Sequence, residues 1–291
     1  MSAPLSDKAF AKINLTLRVL GRRTDGYHEL ESLVAFAEVA DSLTLEPGSN
    51  DGLEMSGPFA GKSGPVDDNL VLKALMELRR RFSSLKGGRF RLEKSLPVAA
   101  GIGGGSADAA AALRLLARAN GMALADSRLM AAAQAVGADV PVCMDSRPRI
   151  MRGVGEVLAP PLDLPSIPAV LVNPGIALAT REVFGKFKIT HVGPGLADVP
   201  TETGALIEFL KRQDNDLTGA ATACAPAVGE ILRALRGVPG SMLVRMSGTG
   251  ATCFALFGSR EEAETAAQQL ADGHKNWWVQ ASAIGAVSAK T

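Results

Sequence analysis

The chain has 291 residues, of which 47% are hydrophobic and 21% charged, and its formal net charge is +1. This length can hold two lobes with cores of their own, the composition excludes a disordered or fibrous protein, and the small net charge argues against a nucleic-acid partner or a membrane anchor. The three widely spaced cysteines and the lack of an export signal or an apolar run of about 18 residues predict a cytoplasmic protein.

The first third of the chain predicts a small sheet followed by a helix. From Ala11 to Leu20 apolar and polar residues alternate, which is the period of a half-buried strand. One face of this strand should carry its polar residues, Lys12, Asn14, Thr16 and Arg18. A turn over 21–27 should lead to strands at 33–39 and 41–47, and a helix over 72–78 and a strand at 89–93 should follow.

The rest of the chain predicts more helices and a second lobe. An alanine-rich helix should begin at Ser106 as its N-cap and end at Asn120–Gly121, and another should span 127–136. A proline-rich stretch over 158–168 suggests two domains, 1–158 and 159–291. The second should contain strands at 169–172, 242–246, 253–257 and 278–283, with helices after 180 and 201 and over 225–235 and 260–270. Its last strand is a candidate to return to the N-terminal lobe.

A glycine-rich segment, Pro97 to Ala107, runs into the alanine-rich helix. Such a loop can turn backbone N–H groups toward one point, and the helix start adds unpaired N–H groups and the positive end of a dipole, which suits phosphate. The loop lacks the lysine of a P-loop. Ser106 occupies the position where a dinucleotide-binding fingerprint needs glycine, and Asp108 occupies the position where a nucleophile elbow needs glycine. A flexible linker that merely caps a helix is the alternative.

Two further segments accompany this loop, Ala11 to Leu15 and Val244 to Phe254. In this order and spacing the three motifs resemble those of the GHMP kinases, named for galactose, homoserine, mevalonate and phosphomevalonate. The resemblance implies an α+β fold of two lobes, the first like domain 2 of ribosomal protein S5 and the second ferredoxin-like, with the active site between them. It also implies transfer of a phosphoryl group from ATP, with Mg²⁺, to a small alcohol.

The resemblance assigns roles to residues of these motifs. Lys12 and Asp139 would be catalytic: Asp139 would take the proton of the attacked hydroxyl, and Lys12 would hold the aspartate and the γ-phosphate. It stays open whether Asp139 is a full base or mainly positions the hydroxyl. The residues alone also allow Lys12 to be a solvated strand lysine and Asp139 to be a turn residue. Ser106 is a candidate Mg²⁺ ligand. ATP contacts are expected from Asn69, Lys94, Pro97, Val98, Ala99, Ala100, Gly101, Ile102, Gly103, Gly104, Gly105, Ser106 and Ala107.

The segment from Gly21 to Leu30 narrows the expected substrate. Tyr27 is the only tyrosine of the chain, and together with His28 it can stack on and hydrogen-bond a nucleobase. The residues alone also allow an aromatic that plugs a sheet edge, but the segment is similar to that of GHMP kinases acting on a cytidine diphosphate of a polyol. The other implied substrate contacts are Asn14, Thr180, Phe184, Gly248 and Thr249.

Two competing hypotheses remain from the sequence. One is a GHMP kinase for another alcohol, against which Tyr27 and His28 argue; the other is a nucleotide-binding regulator without catalysis, against which the intact Lys12, Asp139 and Ser106 argue. We expect a small-molecule partner, with no nucleic acid and no membrane, and a monomer or weak homodimer.

Overall fold

The computed structural model describes residues 3–189, 195–196 and 198–287. Its strands are β1 Leu5–Asn14, β2 Arg18–Arg22, β3 His28–Pro47, β4 Gly52–Ser56, β5 Gly88–Glu93, β6 Arg149–Gly153, β7 Val157–Leu158, β8 Ile167–Asn173, β9 Leu243–Met246, β10 Cys253–Leu256 and β11 Trp278–Gly285. Its α-helices are α1 Leu70–Arg81, α2 Gly104–Ala119, α3 Ser127–Val136, α4 Val140–Cys143, α5 Thr180–Lys186, α6 Thr203–Lys211, α7 Thr218–Cys224, α8 Pro226–Arg236 and α9 Arg260–Gly273.

Strand β3 organises the N-terminal half. It pairs with β1, β2, β5 and β6, all antiparallel, while β4 lies parallel to β5 at the edge. The apolar face of this sheet packs against α1 and α2, α3 packs against these two helices, and the central helix α2 is buried along most of its length. Because α2 is enclosed by this core, its first turn is held firmly relative to β1.

In the described residues of the C-terminal half the order is β8, the helices α5 to α8, β9, β10, α9 and β11. Its strands lie side by side in the order β11-β8-β10-β9, and each neighbouring pair is antiparallel. This arrangement is the split βαβ unit of ferredoxin-like folds, as predicted. Strand β11 also pairs with β3 through Ile284 and Gly285, so one sheet passes through both halves. The domain division at 158 stays a prediction.

The predicted strand over 11–20 is wrong, because β1 ends at Asn14 and β2 begins at Arg18. The amides of Leu15 and Thr16 both donate to the carbonyl of Leu33, and Leu17 N–H donates to Asp214 O, so the ladder is interrupted there. The local alternation could not reveal this break. The strands expected at 33–39 and 41–47 are one continuous strand, β3, paired along its length.

The predicted N-cap at Ser106 is also wrong. Helix α2 has Gly103 as its N-cap, with a left-handed φ of 61°, and Ser106 lies in the first turn. A Cβ atom on residue 103 would lie 3.3 Å from Lys12 Cβ, so close packing against β1 favours glycine at the cap. The alternating and helical patterns also gave no sign of α4, α7, β4, β6 and β7. None of the described helices has the length and apolarity needed to span a membrane.

Candidate active site

A cavity of about 1590 Å³ lies where β1, the glycine-rich loop, the first turn of α2, the turn between β2 and β3, and α5 face one another. A typical small-molecule pocket has roughly 300–1,000 Å³, so this cavity has room for two substrates. Most of the residues expected at the site line it: Lys12, Asn14, Tyr27, His28, Asn69, Lys94, Pro97, Val98, Ala99, Ala100, Gly101, Gly103, Gly104, Gly105, Ser106, Asp139, Thr180, Phe184, Gly248 and Thr249.

Two expected ATP contacts do not line the cavity. The side chains of Ile102 and Ala107 are 1% and 2% exposed and belong to the hydrophobic cores on either side of the loop. Their backbone nevertheless shapes the site, since Ile102 O accepts a hydrogen bond from Lys12 N and Ala107 N donates to Gly103 O. These two residues thus support the loop through packing.

Four successive carbonyl oxygens of the loop, those of residues 99–102, accept hydrogen bonds from outside it. In loop order the donors are Leu178 N at 3.3 Å, Thr252 N at 3.1 Å, Ser247 Oγ at 2.9 Å and Lys12 N at 2.9 Å. A trans peptide N–H points opposite to the carbonyl of the same peptide unit, so the N–H groups of residues 100–103 are turned the other way. The loop therefore presents donors to an anion while its repelling carbonyls face the protein.

Glycines allow this loop to lie directly on the turn between β9 and β10. A Cβ on Gly101 would lie 2.4 Å from Ser247 O, and a Cβ on Gly248 would lie 2.6 Å from Gly101 O. Both residues have positive φ, 73° and 56°, which a side chain also disfavours. Backbone thus packs on backbone, and the position of the loop is fixed.

The first turn of α2 completes a phosphate site. Gly104, Gly105 and Ser106 line the cavity at the N-terminal end of this 16-residue helix. Their N–H groups precede the first intrahelical donor, Ala107 N, and the helix dipole adds positive potential at the same point. Together with the loop amides, this end of the cavity suits a di- or triphosphate.

Lys12 and Asp139 form an ion pair beside this phosphate site. Lys12 Nζ lies 2.8 Å from Asp139 Oδ2, and the two side chains are 6% and 33% exposed. A Cβ atom on Gly103 would lie 3.9 Å from the same aspartate oxygen, which places the ion pair against the loop. An ammonium and a carboxylate therefore meet next to the place where the end of a bound triphosphate would lie.

Asn14 contributes an acceptor on the same strand. Its Nδ2 donates to Ser32 Oγ at 2.7 Å, and Ser32 Oγ donates to Thr16 O. The Oδ1 atom of Asn14 is buried and has no hydrogen-bond partner within the described residues. Because a buried acceptor without a donor is costly, this atom is suited to receive a hydroxyl of a bound substrate.

Lys94, expected to contact ATP, is held differently. Its ammonium group pairs with Asp41 and, at 2.7 Å, with Asp108, and all three residues are buried. Burial, together with the charge of Asp41, raises the pKa of Asp108 to about 7, although Lys94 opposes the shift. A Cβ atom on Gly104 would lie 3.7 Å from Lys94 Nζ, so the ammonium group packs against the start of α2.

Aromatic residues occupy the other end of the cavity. The His28 ring stacks on Phe184, with centroids 4.6 Å apart and an interplanar angle of 22°. Partial burial, followed by the charge of Arg22, lowers the pKa of His28, which favours a neutral imidazole that can both donate and accept hydrogen bonds. Tyr27 is 64% exposed at the rim, and Thr180 Oγ1 lies 3.4 Å from Thr249 Oγ1. This end suits a planar heterocycle.

Sequence reasoning gave no role to several residues that the structure brings to the site. They are Ser32, Asp41, Asp108 and Ser247, and the cavity-lining arginines Arg22, Arg152 and Arg181. Ser247 and Arg22 lie inside two of the motif-like segments, Val244 to Phe254 and Gly21 to Leu30, and this was the available signal. Across the described chain, no cluster of three or more His, Cys, Asp or Glu side chains could hold a metal ion.

Comparisons with known proteins agree with this geometry. Residues 69–147 and 199–276 match the family models for the N-terminal and C-terminal domains of GHMP kinases. The chain is 52% identical to the 4-diphosphocytidyl-2-C-methyl-D-erythritol kinase of Rhodopseudomonas palustris, with 96% of this chain and 98% of that protein covered. It is 53% identical to the protein of the same name from Methylorubrum extorquens, with 95% and 97% covered.

Solved structures give the same picture. A crystal structure of 4-(cytidine 5'-diphospho)-2C-methyl-D-erythritol kinase matches with a TM-score of 0.78 at 35% identity, covering 97% of this chain and 99% of that one. Homoserine kinase from Cytophaga hutchinsonii shares the fold, with a TM-score of 0.72 at 17% identity and coverage of 100% and 96%. These matches confirm the predicted α+β fold of two lobes.

The packing at Gly101 predicts a loss of ATP binding in Gly101→Ala. The added methyl would meet Ser247 O in a conformation that alanine disfavours. The loop must therefore move, and its N–H groups then no longer point at one anion. We expect the Kd for ATP, measured by calorimetry, to rise at least about tenfold, the equivalent of one misplaced hydrogen bond. Gly273→Ala, whose methyl would meet nothing within 4 Å, is the matched control and should bind ATP normally. Equal Kd values for the two variants would contradict the packing argument.

The charge cluster predicts that Lys94→Met destabilises the fold. Removing the ammonium leaves two buried carboxyl groups to face each other, and breaking a buried pair in this way costs about 3–5 kcal/mol. Denaturant unfolding should show this loss, whereas Lys73→Met, at a lysine side chain that is 43% exposed, should change the free energy of unfolding by less than about 0.5 kcal/mol. A stable Lys94→Met that only binds ATP weakly would instead make Lys94 a direct ATP ligand.

Proposed function

The chain belongs to the GHMP kinase family, and we propose that it transfers the γ-phosphate of ATP to the C2 hydroxyl of 4-(cytidine 5'-diphospho)-2-C-methyl-D-erythritol. The products are the 2-phosphate and ADP, in the non-mevalonate route to isoprenoid precursors. One observation carries the proposal: a single cavity joins a phosphate loop, the Lys12–Asp139 pair next to it, and the aromatic end formed by Tyr27, His28 and Phe184. The named relatives supply the identity of the alcohol.

On the nucleotide side the protein acts mainly through its backbone. The N–H groups of residues 100–106 surround the phosphates, and their orientation is set before ATP arrives because the opposing carbonyls are already bonded. Such preorganised dipoles stabilise charge without reorganising during the reaction. Asn69 lines the same end, where its Oδ1 caps α1 by accepting from Val71 N at 2.9 Å and its Nδ2 donates to Met55 Sδ at 3.3 Å.

Transfer requires the C2 hydroxyl to approach the γ-phosphorus in line with the leaving oxygen. The hydroxyl oxygen forms the new bond to phosphorus, the bond to the bridging oxygen of ADP breaks, and the hydroxyl proton passes to Asp139. Lys12, 2.8 Å from Asp139, holds this carboxylate and neutralises charge on the moving phosphoryl group. The unpartnered Oδ1 of Asn14 accepts a hydrogen bond from another hydroxyl of the erythritol portion.

Mg²⁺ fits the donor set as an ion that enters with ATP. Mg²⁺ is commonly held by substrate phosphates, water and one or two protein oxygens, and here the Ser106 hydroxyl lines the phosphate end. When bound, the ion would neutralise charge on the phosphate oxygens. Ser106 is the residue that would hold it.

Cytidine recognition falls to the aromatic end. The neutral His28 ring can hydrogen-bond the polar edge of cytosine, while Tyr27 at the rim and Phe184 on α5 offer faces for stacking. The hydroxyls of Thr180 and Thr249 stand between this end and the phosphate loop, and the cationic side chains of Arg22, Arg152 and Arg181 can attract the diphosphate. Another GHMP alcohol, without a base, would leave this part of the cavity empty.

We also propose a cytoplasmic enzyme that acts as a monomer or weak homodimer, without nucleic-acid partners. The support is that one chain supplies the cavity and that its three cysteines are free thiols, as a reducing compartment favours.

The substrate proposal predicts a strong preference in an ADP-release assay. With ATP and Mg²⁺, kcat/KM for the cytidine diphosphate substrate should exceed that for mevalonate, homoserine or galactose by at least about 100-fold, because those alcohols leave the base-binding groups unpaired. Comparable turnover of any one of these three alcohols would refute the substrate assignment while leaving the kinase assignment in place.

The mechanism predicts the kinetics of Asp139→Asn. The amide cannot take the hydroxyl proton and no longer neutralises Lys12, so kcat should fall about 100- to 10,000-fold. The Kd of each substrate should change less than about threefold, because the aromatic end and the loop amides are untouched. The control is Asp163→Asn, at an aspartate outside the cavity. An unchanged kcat in Asp139→Asn would remove this residue from the chemistry.

A further inference from the structure

Ser247 lies at the junction of the two substrate subsites. It is 0% exposed and follows the last residue of β9. Its Oγ accepts the N–H of Asn14 at 3.0 Å and donates to the carbonyl of Gly101 at 2.9 Å. One hydroxyl group therefore bonds both the strand that carries Lys12 and the loop that binds the ATP phosphates.

This link differs in kind from the other contacts of the loop. The remaining donors to the carbonyls of 99–102 are backbone amides, belonging to Leu178, Thr252 and Lys12. Ser247 alone among these four donors acts through its side chain. A substitution there removes one of the four bonds to the loop, together with the bond from Asn14 N–H, and leaves the other three loop bonds available.

The two groups joined by Ser247 must meet in the reaction. Asn14 and Lys12 project from β1 toward the acceptor hydroxyl, whereas Gly101 belongs to the phosphate cradle. Phosphoryl transfer depends on the separation and alignment of these two sides, since reacting atoms need to lie about 3–3.5 Å apart. Without this link the other three loop carbonyls keep their backbone donors and the aromatic end is unchanged, so each subsite can still bind its ligand.

We propose that Ser247 is a positioning residue, whose hydroxyl holds the acceptor strand and the phosphate loop at the separation that in-line transfer needs. This inference rests on the proposed function of the site. Without the hydroxyl, the hydrogen bond from Lys12 N–H to the Ile102 carbonyl still connects the two elements, so both subsites persist. Their position relative to each other is then less tightly fixed. The loss should therefore appear in kcat far more than in the affinity for either substrate.

Ser282 provides a matched control. It is a buried serine, 4% exposed, whose Oγ likewise accepts a backbone N–H, from Glu38 at 3.1 Å, and donates to a backbone carbonyl, that of Ala283 at 3.3 Å. It joins β11 to β3 and does not line the cavity. Ser247→Ala and Ser282→Ala thus delete the same chemical group from similar surroundings.

The test compares steady-state kinetics, single-substrate Kd values and thermal stability of the wild type with those of Ser247→Ala, Ser247→Cys and Ser282→Ala. We expect kcat of Ser247→Ala to fall about 10- to 100-fold, the size expected for a small misplacement, while each Kd changes less than about threefold. Ser247→Cys keeps the side-chain volume but its thiol forms only weak hydrogen bonds, so its kcat should lie between that of the wild type and that of Ser247→Ala. Ser282→Ala should keep the wild-type kcat.

Two results for Ser247→Ala would overturn the inference. One is a kcat within twofold of that of Ser282→Ala, and the other is a rise in the Kd of a substrate that accounts for the whole loss of activity. If Ser247→Ala does not fold, Ser247→Cys decides, and a wild-type kcat in that variant refutes the role. The kcat ratio is measured on whichever alcohol the wild type phosphorylates, so a failed substrate assignment remains distinguishable from a failed role for Ser247.

Discussion

The hydrogen bonds that hold the carbonyls of residues 99–102 are the constraint on which the site depends. A glycine-rich loop has many conformations, and only a few of them point successive N–H groups at one anion. Here the donors come from β1, from the turn between β9 and β10, and from the segment before α5. The phosphate cradle is therefore a product of the whole fold, although its sequence is local.

The same contacts place the chemistry. Lys12 N–H is one of the four donors, so the strand that fixes the loop also delivers the Lys12 ammonium to Asp139. The buried cluster of Lys94, Asp41 and Asp108 packs against the start of α2, and Gly103 lets the helix begin against β1. Charge, helix dipole and backbone amides thus converge on one end of the cavity, and base recognition is left to the other.

Much of this could be predicted from the sequence because it resides in compact motifs. Most of the loop, Lys12, Asp139, Tyr27 and His28 line the cavity, as expected from short segments. The features that were missed depend on contacts between residues far apart in the chain. The ion pair of Lys94 with Asp41 joins residues 53 positions apart, and the break after Asn14 depends on Leu33 and Asp214. Local periodicity carries no information about such pairs.

The loop amides and the Lys12–Asp139 pair should meet at the transferred phosphate. A crystal structure with a non-hydrolysable ATP analogue and the cytidine diphosphate substrate would show whether they do. We expect phosphate oxygens within about 3 Å of the amides of the loop and the first turn of α2, with the C2 hydroxyl bonded to Asp139 and facing the γ-phosphorus. A γ-phosphate bound away from Lys12, or a C2 hydroxyl turned away from Asp139, would contradict it.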